Sequence, residues 1–438
     1  VALLPASHFA MLAVAAEAVP IAPAAPFASP WPQRCRAVAC AWVGAAGAPR
    51  RPAARRLRPL RARGGGESRW LPLPEIPPAN ARRIGRRGGA LGAAALAGWL
   101  ARRGKARAAE GQPSQKPPPD ARTCPVADSW PVIPIWPTFG GGRVVPVTPD
   151  DAEADPLLLL AHHRHSFDPK DALRPAFRIG GTLLGLPYLP EEGFKMHPHR
   201  GFEIATYILD GSDGFRHKDS LGGECLYRGG SLQWMRAGAG AMHEEMWETR
   251  DDRPTSIELF QIWINLPQRL KMTQPYIRML GSDWGSPFPV ALATDELGRQ
   301  ARVRVLAGSA HGVSGPYEFA TPLVLAHAHL DPGATWHAPS EPGHSAMVYV
   351  REGDAWVPGG GGSWSPLPTL QSATLRGEGP AVVAAGDRGA DLMYFAARPH
   401  REPVARGGPI VMNYNWEVAE AFKELLDGSF LKGGGQPA

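Results

Sequence analysis

Residues 258–266 read ELFQIWINL, and this stretch decides the fold class. Along a β-strand, successive side chains point to opposite faces. The two faces here would consist of Leu259, Gln261, Trp263 and Asn265 on one side, and of Phe260, Ile262, Ile264 and Leu266 on the other. Aromatic and β-branched residues are frequent in it, and both types favour strands. The stretch therefore predicts a β-strand.

Other short apolar runs lie on both sides of this stretch. They are Leu157–Leu160, Ile204–Leu209, Ser231–Met235, Val303–Leu306, Leu323–Leu330, Ser345–Val350 and Leu392–Ala396. Turn pairs such as Asp210-Gly211 and Gly229-Gly230 separate them, and short strands between glycine turns favour a β-sandwich or barrel. The runs fall into two groups, so we expect two β-domains. The glycine-rich stretch Gly359–Gly379 predicts a surface loop.

One segment near the end of the chain predicts a helix. Trp416–Phe430 places four apolar residues on one stripe, namely Val418, Phe422, Leu425 and Leu426. Asn415 suits the N-cap position and Gly428 suits a helix stop. We expect this helix to pack on a sheet.

Charge divides the chain into two parts. The 51 glycines and 47 prolines exclude a coiled-coil or long-helix protein. The net charge of +6 is uneven, because residues 1–120 hold 19 Lys/Arg against 5 Asp/Glu, whereas residues 121–438 hold 28 against 36. The basic part offers no core-forming pattern, so residues 1–125 are expected to be a low-complexity targeting or disordered segment. The acidic remainder gives no reason to expect nucleic-acid binding by the folded body.

A sub-segment of this basic head has the layout of an import signal. Arg82-Arg83 and Arg86-Arg87 precede Gly88–Ala101, an apolar run of 14 residues. That run is shorter than the roughly 20 residues that span a bilayer, and it fits the apolar region of a signal peptide. The arrangement resembles a bipartite plastid transit peptide with twin arginines. We expect plastid localisation, with lumenal delivery, the cytoplasm and the nucleus as alternatives.

The head is expected to end in a linker. The proline-rich stretch Pro113–Pro119 predicts an extended connector, and the folded body should begin between Cys124 and Pro131. No C-x-x-C pair occurs among the four cysteines, Cys35, Cys40, Cys124 and Cys225. Neither a disulfide framework nor a zinc–thiolate site is therefore expected.

Two short motifs point to metal chemistry. They are His197-Pro198-His199 and His243-Glu244-Glu245. In a strand, residues i and i+2 share a face, and neighbouring imidazoles on an inward face cost free energy unless they bind something. Two such strands would offer three imidazoles and one carboxylate to a barrel interior. Mixed ligation of this kind with open positions suits non-haem Fe(II), and Mn, Ni, Cu and Zn remain open on ligands alone.

Other histidines are weaker candidates. His327 and His329 alternate in the second group of strands, but no later H-x-E motif follows them. His162, His163 and His165 are expected to lie in a polar surface loop.

Three segments that contain these motifs resemble the pirin family of the cupin superfamily. They are MHPHRGFEIATYILDG (196–211), GGSLQWMRAGAGAMHEEM (229–246) and LFQIWINLPQRLKMTQPYIRML (259–280). The resemblance continues in RVLAGSAHGV (304–313), HLDPGATW (329–336) and REPVARGGPIVMNYNWEVAEAF (401–422). It covers about residues 155–430 of the chain, in order, and none of the basic head.

The resemblance implies an all-β bicupin, in which two β-barrel domains pack together with a short C-terminal helix. The N-terminal barrel, residues 126–270, would bind the metal. The C-terminal barrel, residues 271–430, would hold none, and residues 431–438 would form a tail. The family's metal ligands match His197, His199, His243 and Glu245. Glu203 falls on the glutamate position of the general cupin motif and is expected to support the site.

The resemblance also implies an activity. It suggests an iron-dependent dioxygenase that acts on a small aromatic substrate of the flavonol or quercetin type with O₂, with Glu245 as the catalytic base for the substrate hydroxyl. The alternative is a non-catalytic metal-binding protein that senses redox state and contacts a regulatory protein partner. We expect a monomer without membrane attachment. For Trp234, Met235 and Met242, lining of the pocket and a place in the barrel core remain equally open, whereas Arg200 and Gln233 are expected to be structural.

Overall fold

The computed structural model describes residues 112–123, 142–168 and 193–432. The twin-arginine segment, Cys124 and the last six residues lie outside these ranges. Within them, no helix combines the length and the apolar character needed to cross a bilayer.

The first domain consists of two sheets. Its ten strands are β1 (Gly142–Val147), β2 (Leu157–Phe167), β3 (Gly193–His199), β4 (Phe202–Ile208), β5 (Phe215–Asp219), β6 (Glu224–Tyr227), β7 (Ser231–Arg236), β8 (Ala241–Trp247), β9 (Thr255–Asn265) and β10 (Tyr276–Gly281). The larger sheet has the order β1-β2-β9-β4-β7-β10 and the smaller one the order β3-β8-β5-β6. Apolar clusters drawn from both sheets fill the space between them. A short helix, α1 (Asp151–Ala154), precedes β2.

The second domain forms around an eight-stranded sheet. Its strands are β11 (Val290–Thr294), β12 (Gln300–Ala307), β13 (Ser309–Ala310), β14 (Val313–Ser314), β15 (Leu323–Leu330), β16 (Thr335–Ala338), β17 (Ser345–Pro358), β18 (Trp364–Pro368), β19 (Ser372–Leu375) and β20 (Ala381–Ala397). The eight-stranded sheet has the order β11-β12-β15-β20-β17-β18, with β16 on β20 and β19 on β17, and β13 pairs with β14 in a separate two-stranded sheet. The hairpin β21 (Ala405–Gly407) and β22 (Ile410–Met412) and the helix α2 (Asn415–Asp427) follow.

This architecture confirms the all-β bicupin prediction, and every predicted strand run falls on an observed strand. The ELFQIWINL stretch is in β9, which lies between β2 and β4 in the larger sheet. Two features differ from expectation, the end of the first domain and the structure of a predicted loop. The first domain extends through Gly281 rather than 270, because β10 pairs with β7. The expected surface loop at Gly359–Gly379 contains β18 and β19, which pair with the long strand β17.

The predicted surface placement of His162, His163 and His165 is wrong. All three lie in β2 and are buried. Strand β2 has neighbours on both edges, β1 and β9. The face of His163 and His165 is covered, and on the other face His162 is covered while Arg164 is exposed. His162 stacks on Phe260 at 4.6 Å between ring centroids, whereas His163 and His165 lie on the opposite face. The polar composition of residues 162–165 suggested a loop. Histidine can nevertheless be buried in a strand when its ring nitrogens form hydrogen bonds.

The C-terminal helix is present, but its buried face differs from the predicted stripe. Tyr414, not Asn415, is the N-cap residue, and the Glu417 carboxylate accepts a hydrogen bond from the Tyr414 amide at 2.9 Å. Gly428 ends the helix in a left-handed conformation, as predicted. The helix buries Val418 and Ala421 against the β21–β22 hairpin, while Phe422 and Leu426 are exposed.

The two domains share one continuous apolar core. It contains Phe260 and Trp234 from the first domain and Leu325 and Phe395 from the second. Burial of this much apolar surface is the main stabilising contribution to such a contact. The two barrels are therefore joined as one unit.

A polar network completes this contact. Arg351 donates to Glu258 at 3.0 Å and to Asp391 at 2.6 Å, and His162 donates to Glu258 at 2.9 Å. Burial alone would raise the pKa of Glu258, but the His162 hydrogen bond and the Arg351 charge outweigh it and lower that pKa to about 2. The carboxylate therefore stays ionised in the folded protein across the physiological pH range.

A strap of residues 112–123 is docked on the second domain. The buried guanidinium of Arg122 donates to three backbone carbonyls, those of Gly379, His344 and Glu341, each at 2.7 Å. Trp364 donates from its indole to the carbonyl of Gln115 at 2.5 Å. A Cβ atom at Gly379 would overlap the carbonyl oxygen of Asp120. The stretch Pro113–Pro119, expected to be an extended linker, is therefore packed on the second domain. Arg122 contributes to this packing because it donates to three backbone carbonyls of that domain.

Replacing Arg122 with Met should destabilise the full-length protein by about 2–4 kcal/mol, because buried carbonyls lose a charged donor. The control is Lys116→Met, which removes a cation of the same segment at an exposed position. Chemical denaturation of the three proteins checks this. Equal unfolding free energies for the Arg122 variant and the parent would contradict the docked strap.

Candidate metal centre

The two sequence motifs meet on neighbouring strands. His197 and His199 lie on β3 and His243 lies on β8, where His197 is the register partner of His243. One ring nitrogen from each of the three lies within 4.8 Å of the others. His199 and His243 are buried, and His197 is half-buried at the open side of the group. Among the described residues, this is the one group of three or more His, Cys, Asp or Glu side chains close enough to share an ion.

The ring nitrogens of this cluster are available for ligation. His197 donates from Nδ1 to the Lys195 carbonyl at 2.7 Å, which leaves Nε2 with a lone pair. The ring nitrogens of His199 and of His243 are buried, and those of His243 have no hydrogen-bond partner among the described residues. Buried polar atoms without partners are costly. A bound cation would engage the lone-pair nitrogen of each ring, so the donor set fits a first-row metal ion.

The protonation state of the cluster also suits a metal. Burial, followed by the neighbouring imidazoles, lowers the pKa of His243 well below its usual value. Burial likewise lowers the pKa of His199 and of His197. Neutral imidazole is the form that ligates, so these histidines need not lose a proton to bind an ion at neutral pH.

Glu245 lies on the same strand as His243, two residues further along. Its side chain is buried, but its carboxylate is not within the group of nitrogens that lie 4.8 Å apart. Oε1 instead accepts a hydrogen bond from the Tyr227 hydroxyl at 2.7 Å. The structure thus brings three of the four predicted ligands together and places the fourth beside a tyrosine.

Apolar side chains pack against His199 on one side of the cluster. The ring of His199 lies 5.5 Å from that of Phe202 and 5.8 Å from that of Trp263, measured between centroids. Met235 belongs to the same packed group as Phe202, in the barrel core. Electrostatic interactions on this apolar side of the cluster are stronger than they would be in water.

The expectation that Glu203 supports the site does not hold, and Trp234, for which pocket lining and the barrel core were equally open, lies in the core. Glu203 is fully buried, but its carboxylate faces Arg236 at 3.2 Å and the amide of Ala320 from the second domain. Burial raises the pKa of Glu203 to about 7 despite the Arg236 charge. Trp234 packs on Tyr317 at 4.1 Å between centroids. Both side chains therefore support the contact between the domains, because β4 and β7 turn these residues away from the smaller sheet.

Sequence reasoning missed His217 and Tyr227. His217 is buried on β5, where it pairs in register with Glu245. Its Nε2 donates to Asp219 at 2.7 Å, and its Nδ1 accepts from Gln233 at 2.7 Å. The spacing His217-x-Asp219 is the same i, i+2 pattern that identified the other motifs, so a signal was present. No sequence pattern identified Tyr227, because its hydrogen bond to Glu245 forms only when the sheet is folded.

The second-domain histidines have other roles. His327 accepts from Tyr207 at 3.2 Å and donates to Asp391 at 2.9 Å, so both of its ring nitrogens are engaged. His329 is half-exposed at the side chain. These contacts place His327 in the polar network between the domains.

The C-terminal segment contacts the strand that carries His197 and His199. The main chain of Arg200, next to His199, bonds to Pro409 and Val411. Its guanidinium donates to Glu424 of α2 at 2.6 Å and to the Phe430 carbonyl at 2.9 Å. The structural role expected for Arg200 is therefore seen in its contacts.

Replacing His243 with Ala should lower metal affinity by more than about a hundredfold, because the removed ligand is the central imidazole of the cluster. The exposed His337 on β16 provides the control His337→Ala. Metal content after dialysis and titration with Co(II) measure the effect. Full metal occupancy in the His243 variant would refute the assignment of the cluster.

Family models match both domains. The model described as Pirin matches residues 159–264, and the model of the Pirin C-terminal cupin domain matches residues 325–431. The first of these spans β3 and β8, and so includes the histidine cluster.

Individual relatives agree with these models. The chain is 34% identical to Pirin-1 of Arabidopsis thaliana and 32% identical to Pirin of Homo sapiens, in each case over 53% of this chain and 76% of the relative. Among solved structures, a quercetin 2,3-dioxygenase from Acinetobacter baumannii matches with a TM-score of 0.53 and 26% identity, over 73% of this chain and 96% of that one.

Proposed function

Since this chain belongs to the pirin family, we propose that it is an iron-dependent dioxygenase that cleaves flavonol substrates of the quercetin type with O₂. The observation that supports it most is the cluster of His197, His199 and His243, whose nitrogens lie within 4.8 Å of one another. The similarity to a solved quercetin 2,3-dioxygenase supports the choice of substrate class.

Three imidazoles would hold the ion. Bound Fe(II) supplies Lewis acidity and the one-electron chemistry that O₂ requires. Three neutral imidazoles would leave the charge of a bound ion uncompensated, so the site would attract an anionic substrate such as a deprotonated flavonol. A substrate would have to approach from the side of His197, the least buried member of the cluster.

Glu245 would act as the general base. Its carboxylate is buried beside the cluster, and Tyr227 occupies only one of its oxygens by the contact at 2.7 Å. The remaining oxygen can accept the proton of the substrate 3-hydroxyl. Phe202 and Trp263 pack on each other at 4.7 Å between ring centroids beside His199, which makes this side of the cluster apolar.

The test is turnover by iron-loaded protein. With quercetin, the parent should consume O₂ and release CO in a one-to-one ratio, and Glu245→Gln should lose at least about a hundredfold in kcat, the usual contribution of a positioned base. O₂ uptake and CO release are measured together with bound iron. Full iron occupancy without turnover would refute the enzyme and leave the alternative, a metal-dependent regulatory protein.

We further propose that the basic head directs the protein to a plastid and is removed there. The twin arginines and the apolar run Gly88–Ala101 support this. If the strap of residues 112–123 is to remain on the second domain, the head must be cleaved before residue 112. Sequencing the N-terminus of protein from fractionated organelles should give a start near Ala108. An intact head would refute the targeting role. A start at residue 125 would show that the mature protein lacks the strap and would refute cleavage before residue 112.

A further inference from the structure

The strap of residues 112–123 is held on the second domain by two buried side chains. Pro117 and Arg122 are buried, and the other ten residues of the strap are exposed or half-buried. A turn between these two anchors is closed by the Ala121 amide, which donates to the Pro118 carbonyl at 3.0 Å. Contact through a few anchor residues is typical of short peptide segments that bind to folded domains.

Aromatic side chains receive the proline-rich part of the strap. Trp364 donates from its indole nitrogen to the Gln115 carbonyl at 2.5 Å, two residues before the buried Pro117. Trp364 and Trp356 belong to one apolar cluster, and Ala121 packs against it. Grooves lined by aromatic side chains commonly bind proline-rich segments, which lose little conformational entropy because proline is already restricted. The two tryptophans thus line one end of the groove that the strap occupies.

The other end of this groove consists of hydrogen-bond acceptors. The Arg122 guanidinium donates to three backbone carbonyls of the second domain, each at 2.7 Å, and the Arg122 amide donates to the Pro380 carbonyl at 3.0 Å. The Glu378 carboxylate adds a favourable charge interaction with the guanidinium. Carbonyls and an ionised carboxylate can only accept, whereas arginine carries five N–H donors. This end therefore specifies a basic side chain in the occupant.

Gly379 leaves the space through which the strap backbone passes. A Cβ atom at this position would overlap the Asp120 carbonyl oxygen, and the next nearest atoms are backbone carbons of Asp120 and Ala121. The three nearest neighbours of that Cβ thus all belong to the strap. A methyl group at Gly379 would therefore collide with an occupant of the groove.

We propose that this groove is a docking site for a proline-rich segment of a partner protein, with an arginine five residues after the buried proline, and that the strap fills it until the partner binds. A partner fits better than a second copy of this chain, because each copy already fills its own groove and an exchange of straps gains no contact. The strap competes at an effective concentration of about 1 mM, since it belongs to the same chain. The groove therefore selects partners that bind tightly.

The test uses a fluorescein-labelled peptide with the sequence of residues 112–123 and measures its anisotropy with the full-length protein. Arg122→Met, whose own strap lacks the cation, should bind the peptide at least about tenfold more tightly than the parent, in which the intact strap competes. The peptide should also raise the unfolding temperature of Arg122→Met by about 5 °C at a hundredfold excess over Kd, because it restores a donor to the open carbonyls. A scrambled peptide of the same composition should do neither.

Two further substitutions, combined with Arg122→Met, should weaken binding of the peptide. Gly379→Ala should weaken it roughly tenfold by steric overlap, and Trp364→Phe roughly fivefold by loss of one hydrogen bond. The matched controls are Gly360→Ala, at an exposed glycine with no atom within 4 Å of its Cβ position, and Trp416→Phe, at an exposed indole of α2. Both controls should leave peptide binding unchanged.

Pro117→Ser is tested in the same way, because it loosens the strap without removing the arginine and provides a second protein if Arg122→Met does not fold. Binding of the peptide by the folded variant that is no tighter than binding of the scrambled sequence would overturn the proposal. Light scattering identifies the source of the occupant. The parent should be monomeric, whereas dimers that dissociate on Gly379→Ala would assign the groove to a second copy of the chain and overturn the partner.

Discussion

The antiparallel pairing of β3 with β8 is the constraint on which the site depends. Its register sets His197 opposite His243, and the strand period puts His199 on the same inward face. A slip of one residue would turn the imidazoles away from one another. The cluster therefore exists only because this one ladder is held in register.

Several contacts hold that register, and most of them come from far along the chain. The main chain of Arg200 pairs with the β22 region, and its side chain reaches α2 through Glu424. The buried amine of Lys271 donates to the carbonyls of Gly201 and Val411 at 2.8 and 3.1 Å. The C-terminal segment thus contributes to a site whose candidate ligands all lie in the first domain.

The fold and the three histidines were predictable because both rest on local periodicity. The alternation of 258–266 predicts a strand whatever lies next to it, and His-x-His needs only a strand to put two imidazoles on one face. The buried His162, His163 and His165 were not predictable, because their burial depends on the neighbours of β2 in the sheet. The same holds for Glu203, whose partner Ala320 is 117 residues away in the chain.

By itself, the sequence determined the β-strands, the two-domain plan and the histidines that would meet, because residue spacing sets which face a side chain takes. Only the tertiary structure decided what Glu245 contacts, where the strap 112–123 belongs and what joins the two barrels. These depend on hydrogen bonds and burial between residues far apart in the chain. No local pattern specifies such partners, because they are chosen by the packing of whole sheets.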